Sequence, residues 1–567
     1  MRGQRHLKSK LRSGLIVLLA AGLAGAPFSA AFGADSPAPV VAKKKAAKKA
    51  KPDTVVSKYF KTEAQASKGS VTVAGQLIDY RAVAGTLIVH PKGWDDVPPL
   101  KDDSDKDKGD KAAGDDTNPS AEASMFYVAY FKAGAKAEAR PITFLYNGGP
   151  GSSTVWLHMG AFGPRRVVTA DDTHTPAAPY QLINNAESLL DASDLVFIDA
   201  PGTGFSRIAG KDKEKAFYGV DPDAHAFAEF ITEFLSKYGR WNSPKYLFGE
   251  SYGTTRSAVL VNELETGYDV DFNGVILLSQ ILNFDLSPDG PDSNPGVDLP
   301  YELALPTYAA TAWYHHKLPG NPPNLAALVA EAEHFALNDY ALALQAGATL
   351  TPEQTAALAD KLHEYTGLPV AYIKKANLRI DGGEFEKNLQ DDDDMTTGRL
   401  DTRFSGPTMD PLSKEADYDP QSAAISSAYV SAFNAYVREE LKYGKNKTFK
   451  PEVDVWNDWS WLHAAPGIPA PPQTSQAPNV MPDLAGAIKY NPNLRVLLNA
   501  GYFDLATPFM EGQYEMQHLP MPARLQANIE YALYQSGHMV YAHEASLKEL
   551  HDKVAAFIRK TDNAGNE

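Results

Sequence analysis

Ser251 stands inside Gly249-Glu250-Ser251-Tyr252-Gly253, a G-x-S-x-G pattern preceded by the apolar run YLF and followed by the helix-compatible TTRSAVLVNELE. Where a strand turns directly into a helix, such glycines permit a bend tight enough to expose the serine hydroxyl at the helix start. A serine in that place can also be no more than a helix N-cap. What would make it a nucleophile is its company: a base to take its proton and an acid to orient the base, in the chain order Ser, Asp, His expected for this kind of site. Asp504 follows the apolar run LRVLLNAGYF and His538 follows IEYALYQSG. Each therefore sits just past a predicted strand end, from which a loop can carry it to Ser251. His158, His315, His316 and His463 lack that placement. An acyl-transfer site also needs two backbone N–H groups aimed at the developing oxyanion. Asn147-Gly148-Gly149-Pro150-Gly151, after the run ITFLY, can supply one; Tyr252, next to the nucleophile, supplies the other.

These residues need a sheet to hold them. From Arg140 onward PITFLYNGG, DLVFIDAPG, KYLFGE, GVILLSQIL, LRVLLNAGYFD and IEYALYQSG are short, nearly continuous apolar runs, the pattern of strands covered on both faces. DPDAHAFAEFITEFLSKYG between two of them has helical periodicity. Upstream, VTVAGQLIDYRAVAGTLIV and SMFYVAYFKAG read as antiparallel strands. The predicted class is α/β, with a mostly parallel central sheet and helices on both faces. The strand pattern stops near Asn283 and returns near Leu494. The stretch between, rich in helical segments, is expected to cap the C-terminal edge of the sheet, where ligands bind in such proteins. The expected organisation is a leader over 1–31, a flexible Lys/Ala/Pro tether over 32–68, a first core part over 69–284 with a disordered charged loop at 101–120, a mainly helical cap over 285–485, and a second core part over 486–567.

The leader reading rests on Arg2, Arg5, Lys8, Lys10 and Arg12, then the apolar run LIVLLAAGLAGA, then small residues around Ser29-Ala30-Ala31. That is the order of a secretory signal peptide, and the run is short of the ~20 residues that span a bilayer. Export to the periplasm or the medium is expected, with no integral membrane segment after cleavage. Losing the leader's five basic residues and no acidic ones takes the formal net charge from −16 to −21. An acidic chain without a concentrated basic face argues against a nucleic-acid partner. With no cysteine, the chain has no disulfide, lipid-anchoring thiol or thiolate metal site, and its stability comes from its 44% hydrophobic composition.

Taken together, NGGPGSS, GAFGPRRV, NNAESLLDASDLVFIDAPGTGFS, GESYGTTR, NAGYFDLATP and SGHMV resemble the serine carboxypeptidases, peptidase family S10, in that family's order and most closely its bacterial members. The resemblance implies an α/β-hydrolase fold with a helical cap. It also implies release of C-terminal amino acids from peptides through an acyl-enzyme, without cofactor or metal. It assigns Ser251 as nucleophile, His538 as general base and then acid, Asp504 as its orienting carboxylate, and Gly149 and Tyr252 as oxyanion donors. Asn147, Gly148 and Glu250 would bind the terminal carboxylate of a peptide with a free C-terminus. Since a carboxyl group hydrogen-bonds a carboxylate only while the pair keeps a proton, mildly acidic pH is expected to favour the reaction. Three departures stand out: Ala161 where the family often has glutamate, Tyr502 where it has the first aspartate of GDxD, and Ser152 where a cysteine often follows NGGPG.

Other features take plainer readings. Asp391 to Asp394 lack the spacing of a calcium loop and read as a solvated turn. Trp456, Trp459 and Trp461 could line a pocket, although such clusters are more often core. IDAPGTGFS lacks the Lys-Ser/Thr ending of a phosphate loop. Two rival functions remain open at this stage: an esterase, acyltransferase or aminopeptidase on the same scaffold, and a non-catalytic envelope binding protein. Side-chain preference and oligomeric state are not encoded in any motif of the chain.

Overall fold

The computed structural model describes residues 57–96, 118–466 and 477–563. The leader, the tether up to residue 56 and the charged loop up to residue 117 lie outside the described residues. Strands β1 (Ala64–Val73), β2 (Gln76–Val89) and β3 (Glu122–Lys132) are followed by β4 (Ile142–Tyr146), β5 (Asp194–Ile198), β6 (Lys245–Glu250), β7 (Gly274–Leu278), β8 (Arg495–Gly501) and β9 (Ile529–Tyr534). They lie in the order β1-β2-β3-β5-β4-β6-β7-β8-β9, with the short strand Arg207–Ala209 added against β3. From β5 to β9 every neighbour is parallel, while β1, β2 and β3 form an antiparallel edge that joins at β5. Of the runs read as doubly covered, those of β4, β5 and β7 are buried at every residue, whereas the last, β9, lies at the edge of the sheet and leaves Tyr531 exposed. Such a sheet with crossover helices on both faces is the α/β-hydrolase architecture.

Two apolar layers sandwich it. On one face the helices Val220–Tyr238, Tyr252–Gly267 and Met481–Tyr490 bury side chains such as Phe227, Phe234, Leu260 and Leu484. On the other, the helices Pro420–Glu439 and Glu544–Thr561 bury Ile425, Phe433, Leu547 and Val554. A separate apolar cluster built on the helices Leu299–Tyr314 and Pro352–Thr366 forms the cap.

Two expected boundaries move. The tether does not reach residue 68, because β1 begins at Ala64 and pairs with β2 along its whole length, and Ser57 already hydrogen-bonds Glu122 at 2.6 Å. The segment 285–485 is also not all cap. The helix Pro420–Glu439 covers the sheet itself, and the core resumes near Asn479, which bridges back to Asn283. An insertion between two strands in sequence need not stay together in space: an apolar helix face packs wherever a sheet face is open. No helix among the described residues is long and apolar enough to cross a membrane.

Candidate active site

The parallel register brings the four predicted loops together at one edge. β4 ends beside β6 (Tyr146 pairs with Gly249) and β8 ends beside β9 (Gly501 pairs with Tyr534), with β7 bridging the two pairs. Asn147, Ser251, Asp504 and His538 each follow the C-terminal end of one of these strands. Ser251 has φ 60° and ψ −131°, a conformation costly for a residue with a side chain, and its N–H donates to the Leu278 carbonyl at 2.9 Å. The elbow is so tight that a Cβ on Gly249 would lie 2.1 Å from the Gly253 carbonyl oxygen. That is the physical reason for the first glycine of the motif. Ser251 is therefore a strained turn residue, not a helix cap: its side chain accepts no capping hydrogen bond.

His538 Nδ1 and Asp504 Oδ2 are 2.8 Å apart and buried, which leaves Nε2 as the ring nitrogen open to the serine. Burial by itself depresses the His538 pKa, but the charge and hydrogen bond of Asp504 outweigh it and the net direction is up. Residues to which the motifs assigned no role complete the dyad. Thr507 donates its N–H and hydroxyl to the two Asp504 oxygens at 3.0 and 2.8 Å, and Ser279 donates its hydroxyl to the His538 carbonyl at 2.7 Å. The segment Arg399–Thr402 threads between the two loops. The Arg399 and Leu400 carbonyls accept from Leu505 and His538 N–H at 3.1 and 2.6 Å, and Thr402 N–H donates to Phe503 at 2.9 Å. A Cβ on Gly537 would sit 2.5 Å from the Asp401 Cα, so only glycine lets this strap lie beside the histidine.

On the other side of the serine, Gly148 packs so closely that a Cβ there would meet the Tyr252 nitrogen at 2.5 Å. The N–H groups of Gly149 and Tyr252 have no acceptor among the described residues, as a pair of oxyanion donors requires. Arg256, the largest fully buried side chain among the described residues, holds this loop from behind. It donates to the Asn147 carbonyl at 2.9 Å and pairs with Asp223 at 2.5 Å, against the rings of Tyr146, Phe227 and Tyr252.

Glu250 is buried and faces the same pocket. Burial pushes its pKa up to about 7, against the lowering effects of His538, Tyr541 and Asn147. The Tyr541 hydroxyl lies 3.0 and 2.8 Å from its two oxygens, a contact that neither the nucleophile motif nor the histidine motif signalled. Ala161 is fully buried on the helical turn Leu157–Phe162 and offers no polar group.

Ser251 lies between two cavities. The smaller, about 190 Å³, is lined by Asn147, Gly148, Glu250, His538, Trp156 and Ile425 among others. The larger, about 610 Å³, is walled by Tyr252, Ile281, Phe284, Trp456 and Trp461. The tryptophan cluster therefore divides: Trp459 is core, whereas Trp456 and Trp461 line the cleft. His158 is a neutral core residue hydrogen-bonded to Tyr130 at 2.7 Å, with burial holding its pKa down to about 3. His463 is spent between Asp221 and Asp483. Asp391 to Asp394 make an exposed helical turn.

A parallel sheet carrying Ser, Asp and His in that chain order at its C-terminal edge is the arrangement an α/β-hydrolase fold uses to place a serine nucleophile, its base and the orienting acid. The sequence model of the serine carboxypeptidases matches residues 115–281, the stretch that holds Asn147, Glu250 and Ser251. It is 31% identical over 141 residues to the pheromone-processing carboxypeptidase KEX1 of Phytophthora infestans (strain T30-4), which covers 23% of this chain and 21% of that protein. The protein of the same name from Cryptococcus gattii serotype B is 28% identical over 146 residues, 25% of this chain and 20% of its own. The matched part thus spans about a fifth of these relatives. Among solved structures, a proline iminopeptidase of Mycobacterium smegmatis is similar at 15% identity with a TM-score of 0.33, covering 78% of this chain and 96% of that one. That similarity is too distant to bear on function.

Proposed function

We propose that this chain is an exported serine carboxypeptidase that releases single residues from peptides with a free C-terminus. The observation that carries the reading is the buried Asn147–Glu250 pair in the smaller cavity, directly beside Ser251. A carboxyl group that keeps its proton up to about pH 7 can donate to a substrate carboxylate, a task that an esterase or an endopeptidase does not have. The terminal residue then fills the smaller cavity, and the rest of the peptide runs into the larger, aromatic one. Ser251 Oγ attacks the carbonyl carbon of the last peptide bond while His538 Nε2 takes its proton, and Asp504 steadies the imidazolium. The Gly149 and Tyr252 N–H groups bind the oxyanion. His538 passes the proton to the departing amine, and water, activated by the same histidine, hydrolyses the ester. Mildly acidic conditions favour binding of the terminal carboxylate through protonated Glu250, and the leader over 1–31 supports export.

The test is mass spectrometry of an N-terminally blocked peptide, with free and with amidated C-terminus, incubated with wild type and Ser251→Ala. Stepwise loss from the free C-terminus by wild type alone is expected. Equal cleavage of the amidated peptide, or cleavage by Ser251→Ala, would sink the proposal.

A further inference from the structure

Arg399 is the only lysine or arginine among the residues lining either cavity beside Ser251, and it lines both. Its backbone is locked to the catalytic loops. Arg399 N–H donates to Asp419, the capping residue of the helix Pro420–Glu439, at 2.8 Å; its carbonyl accepts from Leu505 at 3.1 Å; and the next carbonyl accepts from His538. The root of the side chain therefore cannot drift relative to Asp504 and His538. The guanidinium spends Nε, at 3.1 Å, and Nη2 on Asp289. Nη1 makes no hydrogen bond among the described residues, and the side chain is 37% exposed, toward the cleft it lines. Its charge also reaches the site, where it opposes protonation of His538.

The smaller cavity needs such a group. A carboxylate brought out of water without a compensating charge is expensive to bind, and Glu250 assists only while protonated. Ala161 supplies no second carboxyl, and Tyr541 is already committed to Glu250. A guanidinium suits the vacancy in charge because it stays cationic at every working pH and presents donors along more than one edge. With the Nε edge on Asp289, the Nη1 side remains for a second anion.

We propose that Arg399 is a substrate-binding residue whose Nη1 side takes the α-carboxylate of the departing C-terminal residue, together with Asn147 and Glu250. The assignment rests on the carboxypeptidase reading and identifies the cation of that site as a residue of the cap strap.

The test compares a blocked peptide bearing a free C-terminus, its C-terminal amide, and an ester of the same acyl group. In Arg399→Gln the ratio of free-acid to ester kcat/KM is expected to fall on the order of tenfold or more, mostly through KM, as for loss of a charged hydrogen bond. Arg399→Lys, which keeps the charge without the fork, is expected to fall less. Asp289→Asn, at an exposed partner, frees the guanidinium and is expected to lower KM for the free acid, so the proposal stays testable even if Arg399→Gln does not fold. An equal loss on ester and free acid would make Arg399 a mere support of the His538 loop and overturn the proposal. Unchanged KM in both Arg399→Gln and Asp289→Asn would overturn it too. If wild type does not distinguish the free acid from the amide, the carboxypeptidase reading itself has failed, which is a different result.

Discussion

Replacing Glu250 by glutamine tests recognition and folding with one change. The carboxyl is buried against His538, Tyr541 and Asn147, and burial moves its pKa from 4.5 to about 7. At 1.36 kcal/mol per pH unit this amounts to about 3 kcal/mol. Because the folded value lies above the unfolded one, the folded protein holds the extra proton between pH 4.5 and about 7. The penalty is therefore absent at pH 4, grows as pH rises, and is complete above the folded pKa. Glu250→Gln removes it. Its thermal midpoint relative to wild type is expected to rise from pH 4.5 to about pH 7 and then level off, by the equivalent of up to about 3 kcal/mol. Kinetics should move with it. Wild-type kcat/KM for a free-acid peptide is expected to fall above about pH 7 as Glu250 ionises and repels the substrate. The amide keeps its N–H donor at all pH values, so the variant should lose that alkaline fall. Superimposable pH–rate profiles together with a pH-independent midpoint difference would refute the role given to this carboxyl.

Three further outcomes follow from the contacts around the triad. Thr507→Val removes the hydroxyl 2.8 Å from Asp504, and kcat is expected to drop roughly tenfold with KM little changed, measured on ester and peptide alike. Tyr541→Phe removes the donor that favours ionised Glu250, so the alkaline limb is expected to move up by roughly one pH unit; a downward move would contradict the assignment. Arg256→Met leaves Asp223 buried without its partner and the Asn147 carbonyl without its donor. A loss on the order of 3–5 kcal/mol, read as a lower thermal midpoint, is expected.

Much of this site can be read along the chain because the α/β-hydrolase plan ties chemistry to strand ends. An apolar run followed by a Gly-rich bend marks Asn147 and Ser251, and the last two runs locate Asp504 and His538, since local propensity and burial pattern are properties of short windows. The sheet class and the antiparallel N-terminal edge were legible for the same reason. What no window encodes is which distant segments touch. The strap Arg399–Thr402 lies between the Asp504 and His538 loops through backbone hydrogen bonds that any residue type can make, so its sequence carries almost no sign of the role. Tyr541 and Thr507 sit only three residues beyond His538 and Asp504, yet their hydroxyls matter because turns fold them back on Glu250 and Asp504. The extent of the cap, too, was decided in three dimensions: the helix Pro420–Glu439 has the same apolar stripe as a cap helix, and the open face of the sheet claims it. By itself the sequence determined the strand order of the chemistry. The tertiary structure decided the pairing of its charges, because burial, charge compensation and contact are relations between segments and not properties of any one of them.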